Sequence, residues 1–148
     1  MKKSLKINHE INEKTKIIGI VTTEKDYKLS WLINNTINLN LKKLNVEKKY
    51  QQNEIFEIND FSKDIYFYID ELTFIRYILI KNKREEHIIF NSLKDFDFIF
   101  IISGVFDDSY VYGFLKNLKK LESIVAAYIV NKLSKKNKKF IDFILNVF

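Results

Sequence analysis

The chain has 148 residues, 47% of them hydrophobic and 15% aromatic, with a net charge of +6 and no cysteine. That is long enough for one domain with a sizeable core and too apolar for a disordered chain. Without cysteine there is no disulfide framework, no thiolate zinc site and no cysteine nucleophile.

The opening stretch MKKSLKINHE lacks the apolar run of a signal peptide. No apolar run approaches the roughly 20 residues of a membrane helix. A cytoplasmic protein that does not engage a membrane is the expectation. The basic charge suggests an acidic partner such as RNA. Only Arg76 and Arg84 of the 25 basic residues are arginine, however, and proline is absent. This composition reads mainly as AT-rich codon bias, because lysine replaces arginine wherever bidentate geometry is not needed.

In chain order, KIIGIVT (16–22) is β-branched on both faces and predicts a buried strand, with Gly19 where a side chain does not fit. Thr22 or Thr23 is the expected cap of a helix over 24–38, with Glu24 and Asp26 in its first turn. Leu29, Leu32, Ile33 and Ile37 form its apolar stripe, Tyr27 and Trp31 belong to its core or rim, and Asn38 and Asn40 stop it. Residues 42–53 read as a polar loop. Strands are expected at 54–58, 64–69 and 73–81, with a shorter candidate at 87–90. FDFIFIISG (96–104) predicts a strand over 97–103. Asp107 or Asp108 should cap a helix over 108–120 whose stripe is Tyr110, Phe114, Leu118 and Leu121. SIVAAYIV predicts a strand over 123–130. The tail from Ser134 is ambiguous: its stripe (Phe140, Ile141, Ile144, Leu145, Phe148) fits a helix, but KFIDFIL also fits a strand, and lysines at a helix start oppose the dipole.

The order implies an α+β fold in one domain spanning 1–148. It is a mainly antiparallel sheet with helices packed on it, a ferredoxin-like elaboration with a strand–helix–strand C-terminal half. FDFIFIISG adds a constraint. Phe96, Phe98, Phe100 and Ile102 alternate with Asp97, Ile99, Ile101 and Ser103. The aromatic face suits a layer under two helices, which leaves Ile99 and Ile101 bare. Burying each is worth about 1.5–3 kcal/mol, so this strand is expected at the sheet centre with its second face covered, by the tail from Phe140 to Phe148 or else by a partner or second copy.

KIIGI followed by EKDYKLSWLINNTINLNL resembles the start of the IPExxxVDY family of small Bacteroidota proteins, and the strand–Gly–acidic-helix–strand order near the C-terminus agrees. At the hallmark, Phe90, Asn91 and Ser92 stand for Ile, Pro and Glu, and Phe96, Asp97 and Phe98 stand for Val, Asp and Tyr. Asp97 alone matches. The resemblance implies a lineage and no activity. The gene neighbourhood typical of that family points toward RNA metabolism or a carrier-protein partner.

Candidate chemistry is sparse. His9 and His87 have no motif around them. Asp95 and Asp97 form a D-x-D that could hold Mg²⁺, but such acids more often mark a strand start. Gly104 precedes a helix N-terminus able to hold an anion, yet two aspartates at the cap would repel phosphate. Tyr66, Tyr68 and Tyr77 share one face, opposite Arg76, and are the candidate interaction surface on which bases could stack. Otherwise they line a half-buried face. No catalytic constellation, cofactor site or metal site can be built. The reading is a non-catalytic interaction or regulatory module with a protein partner or a homodimer. The alternatives are a basic RNA-associated protein and a small-ligand sensor using the strand–helix–strand unit.

Overall fold

The computed structural model describes residues 13–44, 65–84 and 87–147. The expected strand at 54–58, His9 and Phe148 lie outside the described residues. Strand β1 (Glu13–Thr22) leads into helix α1 (Asp26–Ile37) and the short β2 (Lys42–Lys43). Then come β3 (Ile65–Ile69), β4 (Arg76–Lys81) and a small hairpin of β5 (Lys83–Arg84) and β6 (His87–Ile88). Strand β7 (Phe98–Val105), helix α2 (Asp108–Lys119), strand β8 (Ile124–Ile129) and helix α3 (Lys135–Val147) follow.

Six strands form one sheet in the order β2-β3-β4-β7-β1-β8, and every neighbouring pair is antiparallel. The order contains two interleaved split β–α–β units. In one, β1 and β4 flank β7. In the other, β7 and β8 flank β1 with α2 as the crossover. This is the ferredoxin-like arrangement, extended at the β4 edge by β3 and β2. The α+β class and the strand–helix–strand C-terminal half are as expected.

Strand β7 is central, and each of its faces is buried by a different set of helices. Phe98, Phe100 and Ile102 meet Ile18 and Ile20 of β1 beneath Leu29 and Ile33 of α1 and Val111, Phe114 and Leu118 of α2. On the other face Ile99 and Ile101 lie with Ile17, Ile78 and Ile80 under Phe140, Ile141 and Ile144 of α3. Of the two expected covers, the tail rather than a partner or second copy therefore covers the second face. Its helix tolerates a lysine-rich start because Ser134 caps it, the hydroxyl accepting from the Asn137 N–H at 3.1 Å.

Local details differ from the sequence expectation for identifiable reasons. Phe96 does not continue the aromatic face of β7. Residues 91–97 form a 3₁₀ turn and bend, which swings the Phe96 ring to the α3 side. There it lies over Gly19, where an added Cβ would sit 2.5 Å from the ring. Neither Thr22 nor Thr23 caps α1: the cap residue is Lys25, without a side-chain bond. The Thr22 hydroxyl instead accepts from the Glu24 N–H at 3.1 Å and donates to the Ser123 carbonyl at 2.6 Å, tying β1 to the start of β8. Asn38 ends the helix in the left-handed region, φ 62°. Strand β4 begins at Arg76 rather than residue 73, because residues 71–74 form the turn under an Asp70 N–H to Ile75 carbonyl bond of 3.0 Å. The expected and observed turns differ by an even number of residues, so each tyrosine keeps its face.

Candidate interaction surface

The three tyrosines proposed as a stacking surface do share the α1–α2 face, but two of them are core residues. Tyr66 is buried and its hydroxyl donates to the Asp26 carboxylate of α1 at 2.9 Å. Tyr77 is buried, stacks on Phe114 of α2 and shares a hydroxyl–hydroxyl bond with Tyr110. Burial, then the bond to Tyr110, pushes its phenol far above the ordinary tyrosine range. Tyr68 stacks on Tyr77, ring centroids 5.9 Å apart, and is half-buried. This face does not offer bare rings to bases. The reason is the two helices, whose apolar stripes need the same sheet face.

Asp97 is a structural acceptor. Its Oδ2 takes the Thr22 N–H at 2.9 Å, its Oδ1 lies 3.6 Å from Lys83 Nζ, and its own N–H donates to the Ile20 carbonyl. It closes the end of β1 on β7. Asp95 is exposed. Among the described residues no group of three or more metal-binding side chains occurs. His87 is exposed on the small hairpin.

At the start of α2 the anion position is filled from within. The Asp107 carboxylate accepts from the Tyr110 N–H at 3.0 Å and the Ser109 hydroxyl at 2.6 Å, which lowers its pKa. Gly104 serves close packing. Its φ is +152°, and a Cβ there would lie 3.1 Å from the Ile75 backbone.

Arg76, opposite the tyrosines as expected, works under the tail. Its guanidinium donates to the Leu145 carbonyl at 2.6 Å and to Ser103 Oγ at 3.4 Å. A cation at the end of α3 matches the helix dipole. Beside the other end of α3 lies a cleft of about 550 Å³, lined by Thr15, Ile17, Asn131, Lys132, Lys138 and Asp142 among others. Its three charged side chains belong to exposed residues.

Several apolar and aromatic side chains also remain on the surface. Tyr27 and Trp31 stand out from α1 rather than into the core, with Lys28 Nζ 5.3 Å from the Trp31 ring centroid. Leu72 and Phe74 protrude from the β3–β4 turn. On β8, Val125 is 74% and Tyr128 57% exposed.

The two sheet edges differ sharply. Among the described residues, one edge is β2, two residues long and both lysines, the usual protection against further strand pairing. At the other, β8 spans Ile124–Ile129 with no charge and no proline, and among the described residues no strand lies outside it. Its one guard is a bulge opposite Val21 and Thr22, which sets Val125 out of the ladder. The Val130 N–H donates to the Ile17 carbonyl. Alternation along the ladder then turns the N–H and C=O groups of Ala127 and Ile129 away from β1. The sequence showed this segment as a strand. Its edge position depends on which strand β1 chooses as a second neighbour, and no local pattern states that.

Searches of family models, of curated proteins and of solved structures find no match to this chain.

Proposed function

We propose that the protein is a non-catalytic interaction module that receives a protein partner at the β8 edge. One observation carries this reading: a charge-free edge strand with outward backbone groups at Ala127 and Ile129, on a sheet whose other edge is lysine-guarded. Unpaired edge groups are a template for strand addition, where backbone bonds supply affinity and alternate side chains supply selection. The exposed Tyr128 and Val125 fit the selecting role. The resemblance to the IPExxxVDY family belongs to the same proposal and assigns no activity. A cytoplasmic setting is part of it too. Among the described residues no helix is long and apolar enough to cross a membrane.

Capture on immobilised wild-type and Tyr128→Lys protein tests the reading. Protein retained by the wild type and lost by the variant is the expected result. Equal retention by both defeats the edge as the docking site.

A second reading, RNA association, draws on the exposed Lys132, Lys135, Lys136, Lys138 and Lys139 around the start of α3. Retention of RNA by both proteins, falling steeply with salt, would favour it.

A further inference from the structure

We infer that the strand added at the β8 edge comes from a second copy of this chain, paired antiparallel across a twofold axis at Tyr128. The inference rests on the edge reading above and names its partner.

Charge pattern selects the partner. From Ser123 to Asn131 the segment carries no charged residue, while Glu122 stands just before it and Lys132 just after, both exposed. An antiparallel copy brings the Glu122 end of one strand to the Lys132 end of the other, twice by symmetry, with apolar residues between. A parallel copy would set like charges side by side.

Backbone geometry selects the register. The outward groups of the regular ladder belong to Ala127 and Ile129. Pairing Ala127 with Ile129 of the second copy, and Ile129 with its Ala127, engages the N–H and C=O of both residues in both chains. Centring the axis on Ala127 would hand half of those bonds to Val125, which the bulge removes from the ladder. In the favoured register Tyr128 faces its own counterpart as a non-hydrogen-bonded pair, the closer of the two antiparallel pair types. The two rings cover each other on the face that already holds Phe96, whose ring centroid lies 6.3 Å from that of Tyr128.

The chain contains no cysteine, so single cysteines report this geometry cleanly. Tyr128→Cys should cross-link to a covalent dimer under mild oxidant at low protein concentration, because facing Cβ atoms in such a pair approach disulfide range. Val125→Cys, at the more exposed position, should cross-link far more slowly. Sedimentation of the wild-type protein should give twice the chain mass, and Tyr128→Lys the single mass with unchanged circular dichroism. Cross-linking of Tyr128→Cys no faster than of Val125→Cys overturns the inference, and so does a wild-type monomer. A monomer that still captures another protein through Tyr128 refutes self-pairing and leaves the edge reading intact. Capture that ignores Tyr128 removes both.

Discussion

The two faces of the central sheet are both buried, but they are buried by different means. The α1–α2 face is covered by helices that are themselves the crossovers of the split units, so each is tethered at both ends to strands it covers. Hydroxyl bonds fasten it: Tyr66 to Asp26 and Tyr77 to Tyr110. The opposite face is covered by the segment around Phe90, Leu93 and Phe96 and by α3, which among the described residues is not a crossover between two strands of the sheet. Its fastening is polar as well. Asn137 accepts from Ser92, and Arg76 holds the Leu145 carbonyl. A helix held by side-chain packing and a few hydrogen bonds is the part expected to open first.

The strongest way to break this contrast is Phe140→Ala. The ring is buried against Phe90, centroids 5.1 Å apart, and its loss should cost about 3–5 kcal/mol. Hydrogen exchange should show amides of α3 released well before those of α1 and α2. Uniform release across both faces would show that they are one cooperative unit. Arg76→Met removes the charged donor to the helix end and should cost about 1–2 kcal/mol, less than a fully buried charge-assisted bond because Arg76 is half-exposed. Urea midpoints at constant slope measure it. Gly19→Ala sets a methyl against the Phe96 ring and should cost about 1–3 kcal/mol by overpacking, unless the ring can turn aside. Pairing it with Phe96→Leu should recover part of the loss.

The smallest effect concerns the tethered face. The Ser109 and Tyr110 donors hold the Asp107 carboxyl below its ordinary range. A folded pKa below the unfolded one adds stability that is present above the unfolded value, near 3.9, and is lost as pH falls through the folded one. Asp107→Asn keeps a capping oxygen but loses the charge, so it should flatten this acid limb of the stability curve and lower neutral-pH stability by the same small amount. An unaltered acid limb would place the titration elsewhere.

Much of this molecule was legible as local pattern. The period of two in Phe98–Ile102, the stripe Leu29–Ile33 and the aspartates before Tyr110 each state an element without help from the rest of the chain, because strand and helix periodicities are short-range. Even the need to cover Ile99 and Ile101 followed from the cost of leaving them bare. The sequence showed that Gly19 had to be small. Only the structure supplied the Phe96 ring that makes it so, since a bend at 91–97 carries that ring across the sheet. The fate of the tyrosines was likewise a tertiary decision. Their face was readable, but whether that face meets solvent or α1 and α2 depends on contacts between residues far apart in sequence. The same holds for the β8 edge. SIVAAYIV declares itself a strand from its own residues, whereas being outermost is a property of the sheet order, which arises only when β1 pairs with β7 on one side and β8 on the other.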